Sequence, residues 1–377
     1  MGLQDHPGGW SVVAARQVTY DVLLRSNVLD VDDPSALLDG SDPPARRLVV
    51  VDHRFWDRYR PQVETWLDRL AGQQRVITLP AHESAKTRDA VHAVVRAAID
   101  FGMVRRDELL GIGGGIVLDI VGVAASELFK GIQYTALPTT LVGLIDAGLG
   151  GKRAVNHEGR KNLVGHYHPA RRVILDPTFL RTLDARHISA GLAEIKKAAE
   201  MVDPRLLDLL DEHGADLLTS KFAHPVADEV IRRAAGGILE HLADDLFECQ
   251  LRRWPDYGHT VSPTLEMDTN GAVVHGEAVN VCALLSTTLA AGRGLVDDAY
   301  TARMVRMSQS LGLPTYHDRL SDRDFLQRAI QGATRTRNGN QHWPVPTAPG
   351  FTFIEDATLD EVAEAARALR DLTGADR

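Results

Sequence analysis

A strand running into three consecutive glycines and then a helix leaves this chain few folds to choose from: Glu108-Leu-Leu-Gly-Ile112, then Gly113-Gly114-Gly115-Ile-Val-Leu-Asp119. Glycines at the mouth of a helix let backbone amides close on a pyrophosphate, where the helix dipole favours an anion. A turn without a ligand needs one such glycine, hardly three. The spacing departs from strict GxGxxG, since Ile116 holds the last glycine's place.

The surrounding pattern agrees. Residues 1 to 16 read as a loose terminus, Val18 to Leu24 as a first strand, and the Pro- and Asp-rich run Asp30 to Arg46 as surface loop. Arg47 to Asp52 and Arg75 to Leu79 are short β-branched runs, separated by a helical pattern from Trp56 to Leu70; a second helix spans Ala85 to Phe101. Buried strands alternating with helices predict a parallel sheet of the nucleotide-binding type. Asp52, an acid at a strand's carboxyl end, has two readings: it holds the ribose hydroxyls of NAD, or it caps the next helix. A strand from Lys130 enters Pro138-Thr139-Thr140, and Asp146 to Asn162 forms a run rich in glycine, lysine and amide. Backbone freedom beside fixed cations suits a phosphorylated polyol.

After Asp176-Pro177 the pattern turns helical, with few strand candidates before Val345 and Phe351. A chain of 377 residues exceeds what one core usually supports, so two domains are expected, 1–180 and 181–377. A net charge of -9 argues against nucleic acid or an anionic membrane as main partner. Cys249 and Cys282 form no CxxC pair, which suits a reducing cytoplasm and predicts two buried fillers. No stretch of spanning length is found. Only seven of 42 basic residues are lysine, and five of them (Lys130, Lys152, Lys161, Lys196, Lys197) fall between 130 and 197. In an arginine-biased chain, a retained lysine hints at a site needing a compact ammonium.

His259 and His275 lie in Gly-bounded, polar settings. Two imidazoles and a carboxylate make a three-ligand site for a divalent metal that leaves a position open. Glu194, one turn before Lys197 on a predicted helix, is the best-placed carboxylate; Glu266 and Glu277 compete with it.

Taken together, GGGxxxD at Gly113, PTTL at Pro138, DxGxGGK at Asp146, KN at Lys161, GxxExxK at Gly191, GHT at Gly258 and HGEAV at His275 resemble the dehydroquinate synthase superfamily, the sugar phosphate cyclases. The resemblance runs in order from about Glu83 to about Gly350. It implies a Rossmann-like NAD-binding α/β domain, a mostly helical metal-binding domain and a homodimer. It also implies metal ligands Glu194, His259 and His275, holding zinc or cobalt. Lys197, Lys152 and Asn162 would hold substrate, with Lys130, where relatives carry arginine, at the phosphate. Asp146, Lys161, Arg252 and Asp256 complete the catalytic set. NAD would be held by Asp52, Glu83, Lys86, Gly114, Gly115, Asp119, Thr139 and Thr140, with Lys152 and Lys161 at its edge.

Where dehydroquinate synthases carry asparagine and a second histidine, this chain has Asp256 and Pro263. A carboxylate facing a substrate carboxylate is repulsive, so a neutral hydroxymethyl substrate fits better. Asp-Tyr-Gly-His-Thr-x-Ser-Pro and Pro344 to Thr347 resemble the 2-epi-5-epi-valiolone synthases. Those cyclise sedoheptulose 7-phosphate by transient NAD oxidation, phosphate elimination, reduction, ring opening and an aldol step. Gly151-Lys152-Arg153 and Leu163 depart from that branch. Dehydroquinate synthase, the 2-epi-valiolone and mycosporine-type cyclases and, more distantly, a net polyol dehydrogenase therefore stay open.

Overall fold

The computed structural model describes residues 2–15, 17–38, 43–348 and 350–374. Its first half is a six-stranded, wholly parallel sheet in the order β3-β10-β7-β6-β4-β5. The strands are β3 (Asp21–Leu24), β4 (Arg46–Asp52), β5 (Gln73–Leu79), β6 (Glu108–Gly113), β7 (Tyr134–Pro138) and β10 (Arg172–Leu175). Alternate side chains leave each strand on opposite faces, so the continuous apolar runs feed two cores at once. Leu48, Val50 and Leu109 pack with α3 (Arg88–Asp100) and α4 (Gly115–Glu127). Val49, Val51, Leu110 and Ile112 pack with α2 (His53–Leu67), through Phe55, Val63 and Trp66.

Two expectations change at the N-terminus. Residues 2–13 form an exposed antiparallel hairpin of β1 (Gly2–His6) and β2 (Gly9–Val13), where a loose terminus was expected; Met1 and Arg16 lie outside the described residues. Within the run expected as loop, α1 (Ser35–Leu38) buries Leu37 and Leu38, whose carbonyls take hydrogen bonds from Arg172 and Arg171. Residues 39–42 of that run lie outside the described residues.

The lysine- and amide-bearing run folds as a second hairpin, β8 (Lys152–His157) with β9 (Arg160–Tyr167). Arg153 anchors it. Its fully buried guanidinium donates to Tyr134 Oη at 2.8 Å and to the carbonyls of Ala147 and Gly150 at 2.5 and 2.7 Å. Buried with so many acceptors, Arg153 is a structural residue, and Lys152 beside it faces out.

From residue 185 the chain is helical: α5 (Ala185–Val202), α6 (Pro204–Thr219), α7 (Ala227–Asp244), α8 (Ser262–Asp268), α9 (His275–Gly292), α10 (Asp298–Ser310), α11 (Arg323–Thr336) and α12 (Leu359–Thr373). An antiparallel pair, β11 (Trp343–Pro346) and β12 (Phe351–Ile354), supplies the two late strands. Helix α9 is buried almost all round, against α5, α8, α10, α12 and β11. No helix among the described residues is long and apolar enough to cross a membrane. Cys282 is buried, but Cys249 is exposed, because it sits in the loop after α7 and not in the core.

Candidate active site

Three separate elements bring Glu194, His259 and His275 together. Glu194 and Lys197 sit one turn apart on the buried face of α5. His275 is the first residue of α9, and Gly276 lets that end touch α5: a Cβ there would stand 2.0 Å from the Ala190 carbonyl oxygen. His259 hangs from a loop that turns at Gly258, whose φ of +77° suits glycine. One ligand atom from each of the three lies within 4.8 Å of the others.

The ring nitrogens are already assigned by their partners. His259 Nδ1 faces the Tyr257 carbonyl at 3.1 Å, which can only accept, so Nδ1 carries the hydrogen and Nε2 is free to coordinate. His275 Nδ1 faces Glu266 Oε1 at 2.9 Å, and its Nε2 stands 3.2 Å from Glu194 Oε1. Lys197 Nζ lies 2.6 Å from Glu194 Oε2. Both oxygens of this buried carboxylate nevertheless lack a well-directed hydrogen bond. Two imidazoles and a carboxylate with oxygens to spare fit a divalent metal, and Glu266 takes the place of the outer partner that orients a ligating histidine. Glu277 turns away to Arg186 at 2.6 Å and to the Val274 amide, so it is no third competitor.

The charges are arranged accordingly. Burial and the neighbouring Lys197 push His259 down to about 3, so it is neutral at any working pH. Burial opposes protonation of His275 too, but Glu266 and Glu194 overcome it and raise its pKa to about 9. Burial works against ionisation of Glu266, yet His275 and Lys161 hold it down at about 2. Asp146, on the turn Gly143–Ala147, is raised by burial against the pull of Lys197. Behind the cluster the Tyr257 hydroxyl donates to Glu200 Oε2 at 2.9 Å, and Glu200 Oε1 receives Lys196 at 2.6 Å, all buried. This string ties the His259 loop to α5.

A second group of charges lies alongside. Arg253 bonds both Asp256 oxygens at 3.0 and 3.1 Å and also pairs with Glu248, which receives Lys152 at 2.6 Å. Arg337, in the loop after α11, approaches Asp256 at 3.3 Å. Arg253, Arg337 and Glu248 were not singled out by sequence. Arg252 was, and its guanidinium lies 3.4 Å from Glu355 and over the Phe353 ring, not on Asp256. Arg253 has extended backbone, so neighbouring side chains point to opposite sides; that alternation was the available signal. Arg337 left no signal, being some eighty residues downstream.

Lys130 lies apart from the Glu194 cluster of its own chain. It is exposed just past the C-terminal end of α4, about 20 Å along the helix from the glycine turn. Lys161 reaches Glu266, so its ammonium meets the His275 string.

At the glycine turn, Gly114 precedes α4, and a Cβ on it would stand 2.9 Å from Thr140 Cγ2. Side-chain-free backbone against Thr139 and Thr140, with the first amides of α4 unpaired by helix geometry, is a cradle for a pyrophosphate. Thr139 N–H donates to Gly113 O at 3.0 Å and holds the two turns together. Buried Lys86 pairs with Asp119 and donates to Asn162 Oδ1 at 2.6 Å, which ties Asn162 to α4. Glu83 Oε1 accepts from Asn156 at 2.8 Å. Asp52 caps α2, its Oδ1 accepting from Arg54 N at 2.8 Å; it does so at the carboxyl end of β4, beside the turn.

Family models described as 3-dehydroquinate synthase N-terminal and C-terminal match residues 76–190 and 191–332. The 2-epi-5-epi-valiolone synthase of Streptomyces hygroscopicus subsp. jinggangensis (strain 5008) is 40% identical over 366 residues, covering 94% of this chain and 88% of that protein. The structure of ValA, the 2-epi-5-epi-valiolone synthase of the same organism with NAD+ and Zn2+ bound, superposes with a TM-score of 0.92 at 39% identity, over 96% of this chain and 99% of that one. A 2-deoxy-scyllo-inosose synthase complexed with carbaglucose-6-phosphate, NAD+ and Co2+ shares the fold at a TM-score of 0.78 and 22% identity, over 93% and 96% of the two chains. With consecutive family models across the cleft and a relative this similar over nearly its whole length, the chain belongs to the 3-dehydroquinate synthase family.

Proposed function

We propose that the protein is a sugar phosphate cyclase that converts sedoheptulose 7-phosphate to 2-epi-5-epi-valiolone and phosphate, a carbon-oxygen lyase. The observation that carries this reading is Asp256 locked between Arg253 and Arg337 beside His259. In a site for an acid substrate, guanidiniums so placed would be free for the carboxylate. Here Asp256 occupies them, so its effect is to use up the cations, not to repel the substrate as the bare sequence suggested. A neutral hydroxymethyl group then meets no unpaired charge.

In this reading Glu194, His259 and His275 hold the divalent metal, zinc or cobalt, and the glycine turn with Asp52, Glu83, Lys86, Asp119, Thr139 and Thr140 holds NAD. The bound NAD supplies reversible oxidation of a secondary alcohol, and the metal polarises that alcohol's oxygen. Lys197, fixed by Glu194 and Asp146 and kept protonated by them against the cost of its burial, steadies oxyanion charge that develops nearby. Lys152 meets the substrate phosphate by exchanging Glu248 for it. Asn162 and Lys161 close the site from β9. Residues 1–180 form the NAD-binding domain and 181–377 the metal- and substrate-binding domain, in a cytoplasmic homodimer.

The test is a phosphate-release assay with NAD and zinc or cobalt, offering sedoheptulose 7-phosphate beside the acid precursor of dehydroquinate, with absorbance followed for NADH. Release from the heptulose alone, without lasting NADH and with the product fixed by NMR, is expected. Release from the acid precursor instead would make the protein a dehydroquinate synthase, and lasting NADH would make it a dehydrogenase.

A further inference from the structure

A second group of metal-binding side chains lies away from the cleft, on α6. His213 and Asp216 are three residues apart on that helix and so share a face. His224 returns to them across the turn that follows. One ligand atom from each lies within 4.8 Å of the others, and the two imidazole centroids are 5.3 Å apart. All three are partly or fully open to solvent, which can complete a coordination shell.

The turn is held in this shape before any ligand arrives. Phe222 N–H donates to Leu217 O at 2.9 Å and Ala223 N–H to Ser220 O at 3.0 Å, while the Phe222 side chain is buried. Lys221 and Phe222 both take left-handed backbone, with φ of 52° and 63°. His224 is therefore delivered by a fixed reversal, and α6 itself is anchored by buried Leu209, Leu210 and Leu217. The partners the ligands have at present are weak. Val226 N–H approaches His224 Nδ1 from 3.4 Å, a bond long enough to be given up when the ring coordinates. Glu212 stands 3.6 Å from His213 Nε2 and adds negative charge at the same spot. The cluster also sits over the C-terminal end of a sixteen-residue helix, whose dipole favours a cation.

We propose that His213, Asp216 and His224 form a second site for a divalent transition-metal ion, independent of the Glu194 cluster, that pins the turn between α6 and α7. Two imidazoles and one carboxylate suit zinc, cobalt, nickel or copper and reject magnesium and calcium.

The test uses the full chain stripped of metal, then equilibrated with a small molar excess of Co(II) and dialysed, with ions per chain read by elemental analysis. The wild type is expected to retain two ions and the H213Q/H224Q variant one, with phosphate release and NAD binding unchanged. In thermal melts the second equivalent should raise the wild-type midpoint and leave the variant where it was. One ion in both proteins, or two in both, would overturn the proposal. Because the altered side chains lie at the surface, an unchanged circular dichroism spectrum shows that the variant is folded, and the count then decides.

Discussion

Glu266 Oε1 lies 2.9 Å from His275 Nδ1, and the same carboxylate receives Lys161 through its other oxygen. The contact leaves Nε2 aimed at Glu194 and continues a string of alternating charge from Lys161 to Lys197. Read as a rival ligand from sequence, Glu266 instead stands on the opposite ring nitrogen of His275 from Glu194. Glu266→Gln keeps the shape and removes the charge, so metal affinity should fall about 10- to 100-fold. Competition with a chromophoric chelator measures it; unchanged affinity would show that Glu266 does not orient the ring.

The same pair sets a pH dependence. Without metal, His275 is protonated up to about 9, whereas its ordinary value is 6.5. A folded-state pKa raised in this way stabilises fully below 6.5 and is lost as pH climbs through 9, so the metal-free protein should melt progressively lower across that window. A metal needs the neutral ring. Binding near pH 7.5 should therefore release about one proton from His275, while His259, already neutral, releases none. Calorimetry in two buffers of different ionisation enthalpy counts it, and no buffer dependence would contradict the assignment.

Lys197 is buried between Glu194 and Asp146, and among the described residues no other ammonium is paired with Glu194. Lys197→Met should lower kcat by about 10²-fold or more while NAD affinity, measured by fluorescence titration, stays put. Turnover within a few-fold of wild type would remove Lys197 from the reaction.

Arg252 and Arg253 are adjacent in sequence and opposed in space. Arg252→Ala should leave kcat/KM for the heptulose phosphate within about fivefold, as an exposed ion pair is worth at most about 1 kcal/mol. Arg253→Ala takes one of two cationic partners from each of the carboxylates Asp256 and Glu248, leaving Arg337 and Lys152, and should cost about 2 kcal/mol or more in transition-state stabilisation. Equal effects from the two variants would contradict the orientation described above.

Much of this was legible in the residues themselves. The strand, glycine turn and helix at residues 108–119 dictate a parallel α/β half, because only bare backbone can close on Thr140 as Gly114 does. The spacing of Glu194 and Lys197 places them on one helix face, whatever the helix packs against. Chain order could not say which carboxylate meets His259 and His275. That was decided by α5 and α9 touching at Gly276, a contact between positions some 86 residues apart. Nor could it say that Arg253 meets Asp256 while Arg252 meets Glu355, that Arg337 comes back to Asp256 from beyond α11, or that Lys130 lies at the far end of α4. Local pattern fixes the face on which a side chain sits. Which faces meet is settled by burial of apolar surface across the whole chain, and that burial brings the charges of this site together.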